Sequence, residues 1–97
     1  MLDAAQSARA QALFKGIDLE VMRLVLPAGS NLPEHAAPTE ATLLCLQGRL
    51  AVGLAEGTRE LAAGQMLYLG RAMRHSVAAL ADSVVLVTLA LPPQGPK

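Results

Sequence analysis

The sequence predicts an all-β fold, a sandwich or barrel of seven or eight short antiparallel strands that follows a short helix. Turn signals recur about every 8–12 residues along most of the chain, as they do in such folds. Between the turns, apolar residues alternate with polar or small ones, beginning with Ile17, Leu19 and Val21. This is the spacing of half-buried strands. With 97 residues, the chain has room for one domain.

The predicted helix covers residues 1–16. Asp3 and Gln6 have the spacing of an N-terminal capping box, and the apolar residues that follow have helical spacing. Gly16 stands where a helix C-terminal cap belongs. We therefore expect a short helix that packs on the sheet or on a second subunit.

Residues 17–91 are predicted to form the β-barrel domain, and the proline-bearing residues 92–97 a flexible tail. Between the first two predicted strands lies a polar stretch that contains Pro33, His35 and Pro38. Because prolines interrupt it and apolar alternation stops there, this stretch is predicted to be a loop.

Composition excludes several classes of protein. The hydrophobic fraction is 53%, too high for a disordered chain, and the formal net charge is zero. No cluster of basic residues is present, so we expect no nucleic-acid binding. Apolar stretches fall short of the roughly 20 residues of a membrane span, so we expect no membrane insertion. With no signal-peptide pattern and Cys45 as the single cysteine, a cytoplasmic location is expected.

Two segments resemble the paired motifs of the cupin superfamily. In the first motif a glycine is followed by five residues and a histidine, as Gly29 is by His35, and Gly48 closes the segment. In the second motif the spacing of Gly64 and His75 matches that of the family's glycine and histidine. The resemblance spans most of the chain and implies a small antiparallel jelly-roll barrel.

The chain also departs from both motifs. The second histidine of motif one is replaced by Ala37, and the family's glutamate position falls on Ala41, one residue after Glu40. In motif two, the positions of the family's proline, glycine and asparagine hold Gly70, Ala72 and Ala79. The resemblance therefore supports the barrel and does not by itself carry over the family's metal site or activities.

By resemblance, His35 and His75 face each other inside the barrel mouth. With Glu40 they are the candidate ligands of a divalent metal such as Zn, Ni, Fe or Mn. Register decides whether Glu40 takes part: on a regular strand it points outward, whereas a bulge at Pro38 and Thr39 turns it inward. The alternative is that the two histidines line a pocket or bind loop backbone groups.

The predicted ligand-binding set is His35, His75, Tyr68 and Met73. Tyr68 either packs in the barrel wall or offers its hydroxyl to a ligand, and Met73 lies in the loop before His75. Cys45, in a strand among leucines, is expected to be a small buried apolar residue.

Three functions are considered. The first is binding of a small molecule in a largely apolar pocket, with His35 and His75 as its polar pair. The second is a metal-dependent oxygenase or isomerase. The third is a non-catalytic interaction module that pairs as a homodimer, consistent with the high apolar fraction.

Overall fold

The computed structural model describes residues 9–93. Within this range the chain forms nine β-strands and no helix. No helix of this range therefore has the length and apolar character of a membrane span. The strands are β1 (Arg9–Lys15), β2 (Leu19–Leu26), β3 (Asn31–His35), β4 (Ala41–Gln47), β5 (Arg49–Leu54), β6 (Gly57–Ala62), β7 (Met66–Leu69), β8 (His75–Ala79) and β9 (Ser83–Ala90).

The strands form two antiparallel sheets. The larger has five strands in the order β1-β2-β9-β4-β7, and the smaller has four in the order β3-β8-β5-β6. Consecutive strands often belong to different sheets, as β2 and β3 do, so the chain repeatedly crosses from one sheet to the other. This is the predicted all-β jelly roll.

The core lies between the sheets and is built by strand alternation. In β4, β8 and β9, every second residue is buried and the residues between are half-buried or exposed. Because side chains alternate between faces along a strand, each of these strands gives one face to the core. The most deeply buried apolar side chains are Leu26, Leu50, Val52, Val85 and Cys45.

The sharpest corner of the chain is Gly48, the single residue between β4 and β5, which lie in different sheets. Its φ is +88°, and a Cβ built on it would lie 2.3 Å from Ser83 Oγ and 2.4 Å from the Asp82 carbonyl oxygen. Ser83 is buried there, donates to the Ala81 carbonyl at 2.7 Å and accepts from the Arg49 amide at 3.1 Å. The corner therefore needs a residue without a side chain.

The predicted N-terminal helix is wrong for the residues that the structure describes. Arg9–Lys15 is strand β1, paired with β2 at the edge of the larger sheet, and residues 1–8 lie outside the described range. All seven side chains of β1 are exposed, so side-chain packing does not select its conformation. Pairing satisfies the free backbone groups of β2, and this outweighs a helical propensity that is only a weak preference.

The predicted loop around His35 also contains a strand, β3, which the sequence reasoning missed. β3 is a five-residue edge strand that pairs only with β8, and four of its five residues are exposed. It has no apolar alternation because Leu32 is half-buried and the other four residues are exposed. Pro33 is tolerated because an edge strand needs fewer backbone donors. The residues after Ala90 that are described, 91–93, form no regular element.

Candidate functional site

A cavity of about 250 Å³ lies between the two sheets. Twelve of its fourteen lining residues are apolar, and the two others are His35 and His75. The apolar lining is Met22, Leu24, Leu26, Leu32, Ala37, Ala41, Leu43, Leu69, Val77, Val85, Val87 and Leu89. Strand alternation from residue 22 to 26 and from 85 to 89 could have identified much of this lining in the sequence. The prediction named only the two histidines.

The structure brings His35 and His75 together. They are direct partners in the β3–β8 ladder, and their ring centroids lie 4.3 Å apart at an interplanar angle of 59°. His35 is exposed, whereas His75 is 6% exposed. The pair therefore runs from the protein surface into the apolar cavity.

A β-bulge aims His35 at the cavity. In the β3–β8 ladder Leu32 pairs with Val77 and His35 with His75, so β3 has one more residue than β8 between the two pairs. Without that extra residue, side chains three positions apart would point to opposite faces. With it, Leu32 and His35 both line the cavity. Sequence spacing alone did not reveal this irregularity.

Both imidazoles are oriented by backbone carbonyls. His35 Nδ1 lies 3.1 Å from the carbonyl oxygen of Pro33, and His75 Nδ1 lies 3.0 Å from that of Met73. A carbonyl oxygen can only accept a hydrogen bond, so each Nδ1 carries the hydrogen and donates it. In the neutral ring, Nε2 then keeps its lone pair free for a ligand.

The turn before His75 contains a strained residue. Ala72 has φ +57°, in the left-handed region, and its amide donates to the Ala37 carbonyl at 2.8 Å. This is the position at which the family motif has glycine. An alanine there costs about 1–2 kcal/mol relative to its favoured conformations.

We expect Ala72→Gly to raise the free energy of unfolding by about 0.5–1 kcal/mol, because relief of the strain exceeds the extra entropy of the unfolded glycine chain. Ala78→Gly is the matched control, since Ala78 lies within β8 and has no positive φ. That substitution should lower stability by about 0.5–1 kcal/mol. Urea unfolding of the wild type and the two variants measures the direction of both changes in stability. A lower free energy of unfolding in Ala72→Gly would contradict the assignment of strain to Ala72.

Glu40 is not brought to the histidine pair. It precedes β4, where Ala41 and Leu43 line the cavity, so the neighbouring side chains of Glu40 and Thr42 lie on the outside of the sheet. There the Tyr68 hydroxyl donates a hydrogen bond to Glu40 Oε2. Glu40 therefore points outward, as it does on a regular strand, and no bulge turns it toward the histidines. Tyr68 is 56% exposed and lies on the outside of the sheet, away from the cavity, and its role in ligand binding stays a prediction.

The hydrogen bond to Glu40 raises the pKa of Tyr68, with smaller contributions from burial and the Glu40 charge and a small opposing one from Arg71. Tyr68 is the only tyrosine and the chain has no tryptophan, so ultraviolet absorbance reports its ionisation alone. We expect the midpoint to lie above the ordinary tyrosine value and to fall in Glu40→Gln, which removes the charge that opposes tyrosinate. Glu60→Gln, on the other sheet and paired with Arg49, should leave the midpoint unchanged. Equal midpoints in all three proteins would contradict the pairing.

The two remaining residues considered in the sequence lie away from the histidine rings. The Met73 side chain is 40% exposed and is not part of the cavity lining, although its carbonyl orients His75. Cys45 is fully buried in the core and its thiol donates to the Gln47 carbonyl at 3.3 Å. Burial raises the pKa of this thiol, so it is not a reactive thiolate.

The donors present do not fit a metal held by three protein ligands. Among residues 9–93, no three His, Cys, Asp or Glu side chains are grouped so that they could hold an ion. The histidine pair supplies two nitrogens, whereas a catalytic metal usually has three protein ligands and an open position. The nearest carboxylate by sequence, Glu34, forms a surface ion pair with Arg74 at 3.4 Å.

Comparison with known proteins identifies the architecture. Neither a family model nor a curated protein matches the sequence. Among solved structures, a cupin superfamily protein from Desulfitobacterium hafniense has a TM-score of 0.83 at 15% identity over 88% of this chain and 78% of its own. An RmlC-like cupin from Desulfovibrio desulfuricans has a TM-score of 0.81 at 24% identity over 93% and 87%.

The chain has the cupin fold. The DMSP lyase DddQ from Ruegeria pomeroyi also superposes on this cupin domain, with a TM-score of 0.84 at 18% identity over 98% of the chain and 53% of the lyase. The resemblance of the motifs around Gly29 and Gly64 is therefore confirmed at the level of the fold. In this chain the two motif histidines lie together, while the positions of the family's second motif-one histidine and its glutamate hold Ala37 and Ala41, which line the cavity with methyl groups.

Proposed function

We propose that this cupin domain binds a small, largely apolar molecule in the cavity between its sheets, with the His35–His75 pair as the polar contact. The observation that carries the proposal is the apolar cavity with one polar end. Binding pockets commonly combine an apolar lining with a few polar groups that fix the orientation of the ligand.

The size of the cavity limits the ligand. An apolar cavity of about 150 Å³ holds benzene. The volume of about 250 Å³ found here therefore suits a molecule of roughly ten non-hydrogen atoms. Larger metabolites, and charged ones that need several polar partners, fit this lining poorly.

A thermal-shift screen tests the proposal. Small aromatic and aliphatic molecules of this size should raise the melting temperature in proportion to the logarithm of their concentration, because they bind the folded state alone. Larger and highly charged metabolites serve as the comparison set. If no compound of the small apolar set shifts the transition at millimolar concentration, the cavity is not a binding site.

The alternative of a metal-dependent oxygenase or isomerase has less support. It needs a metal with an open position, and the histidine pair offers only two of the usual three protein ligands. The likeness to the lyase DddQ concerns the fold and does not supply the missing donor.

A homodimer is a second proposal, and the outer face of the larger sheet supports it. We define this face by the apolar side chains that alternate with the cavity lining: Phe14, Val21, Val25, Leu44, Leu46, Met66, Tyr68, Val84 and Leu86. The polar residues Arg23, Thr42 and Thr88 alternate with the lining in the same way and lie among them. Phe14, Met66 and Tyr68 are each more than half exposed. Strands that are apolar on both faces, as β4 and β9 are, are typical of sheets covered on both sides.

The occupant that we propose for the outer face is a second copy of the chain. Five strands about 4.8 Å apart, four of them seven or eight residues long and β7 four residues long, give a face of roughly 550 Å². A stable dimer buries about 800 Å² on each partner, so the face and its rim are close to sufficient. The zero net charge adds no repulsion between copies.

Light scattering coupled to gel filtration measures this pairing. The protein should elute as a dimer, and Leu86→Glu, on the outer face, should convert it to a monomer. Leu80→Glu is the control, because Leu80 is 49% exposed but lies between β8 and β9, away from that face. A wild-type protein that stays monomeric at high concentration excludes the dimer.

A further inference from the structure

With both imidazoles neutral, the side chains that line the cavity offer hydrogen-bond acceptors and no free donors. Both rings of the His35–His75 pair donate through Nδ1 to a backbone carbonyl, which leaves Nε2 of each neutral ring as an acceptor. Among residues 9–93, no protein group donates to either Nε2. The other twelve lining side chains are aliphatic or thioether groups that cannot donate a hydrogen bond. A ligand that hydrogen-bonds in this cavity must therefore supply the donor.

Charge excludes two classes of ligand. When both rings are neutral, a carboxylate or phosphate at the pair faces nitrogen lone pairs, and Arg74 is directed to the surface, where it pairs with Glu34. An ammonium group would need a carboxylate, but Glu40 lies outside the cavity, hydrogen-bonded to Tyr68. Burying either charge without a partner in this apolar lining is costly.

A neutral hydroxyl group meets these conditions. Its hydrogen is donated to one Nε2 while the rest of the molecule lies against leucine and valine side chains. We propose that the ligand is a neutral molecule of about ten non-hydrogen atoms that carries a hydroxyl donor, of the alkylphenol or small aromatic alcohol class. This inference rests on the proposed binding function and adds the class of ligand.

Three probes of equal size and different head groups test the inference: para-propylphenol, para-propyltoluene and para-toluate. Titration calorimetry is run at about pH 8, where an ordinary imidazole is neutral, with a chelator present to remove adventitious metal. We expect the phenol to bind about tenfold more tightly than the hydrocarbon, the value of one good hydrogen bond. The carboxylate should bind more weakly than both.

The double variant His35→Phe/His75→Phe is the matched control, because it keeps aromatic rings at the mouth and removes both acceptors. In it the phenol should lose its advantage and bind no more tightly than the hydrocarbon, because its hydroxyl has no acceptor there. If the double variant does not fold, His35→Phe alone is measured in its place. This variant keeps the buried His75 ring, and the preference for the phenol over the hydrocarbon should be smaller than in the wild type.

The outcomes separate the two proposals. If the hydrocarbon binds as tightly as the phenol in the wild type, or the carboxylate binds best, the ligand class is wrong and the binding function stands. If none of the three probes binds, both the ligand class and the cavity's binding role are refuted.

Discussion

Gly48→Ala is expected to lower the free energy of unfolding by about 2–5 kcal/mol. A left-handed alanine costs about 1–2 kcal/mol, and overpacking adds typically about 1–3 kcal/mol. The new Cβ would lie 2.3 Å from Ser83 Oγ and 2.8 Å from Ser83 Cα, so side-chain rotation alone does not relieve the contact. Domains of this kind are stable by roughly 5–15 kcal/mol, so the loss is a large fraction of the total.

Gly29→Ala is the matched control for this prediction. Gly29 has φ +86°, almost the same as Gly48, but nothing lies within 4 Å of a Cβ built there. Its substitution should therefore cost only the backbone strain of about 1–2 kcal/mol. Urea unfolding of both variants isolates the close approach at the β4–β5 corner. Equal losses in the two variants would show that the close approach contributes nothing.

Val87→Phe is expected to abolish binding of a ligand that fills the cavity while the domain stays folded. Val87 is buried and lines the cavity from β9. The larger side chain fills roughly four of the ten atom positions available. The affinity for para-propylphenol should fall more than about tenfold. Cyclopentanol, a neutral hydroxyl compound small enough for the space that remains, should still bind. The unfolding free energy should stay within about 1–2 kcal/mol of wild type.

Leu86→Phe is the control for the cavity variant. Leu86 directly precedes Val87 in β9, and its side chain lies on the outer face, so a phenylalanine there leaves the cavity unchanged. Calorimetry with para-propylphenol and cyclopentanol measures the size selectivity. If Val87→Phe binds para-propylphenol as the wild type does, the ligand does not occupy the space between the sheets.

Much of the barrel could be predicted because burial and sequence pattern agree. Turn residues separate the strands from Ala41 to Ala90. In β5, Leu50, Val52 and Leu54 alternate with small residues, as in a half-buried strand. The prediction of secondary structure was wrong at two strands, for opposite reasons. Arg9–Lys15 has helical spacing but pairs with the edge of β2, and Asn31–His35 lacks any strand pattern but pairs with the edge of β8. Edge strands depend on backbone pairing, which side-chain periodicity does not report.

The candidate site was predictable only in part. Motif spacing located His35 and His75, which the structure places 4.3 Å apart. The direction of Glu40 depended on register, and the sequence left two alternatives open. The carbonyl partners of the imidazoles, from Pro33 and Met73, involve main-chain atoms, and residue identity does not reveal these. The roles of His35 and His75 in ligand binding stay predictions until the probes are measured.

The bulge in β3 has a consequence for how this protein could change. The inward direction of His35 depends on how many residues separate it from Leu32, and not on which residues they are. Loss of a single codon in that stretch turns the imidazole to solvent although both histidines are still encoded. Insertions and deletions in this stretch are therefore mutations that remove the polar end of the barrel without replacing either histidine.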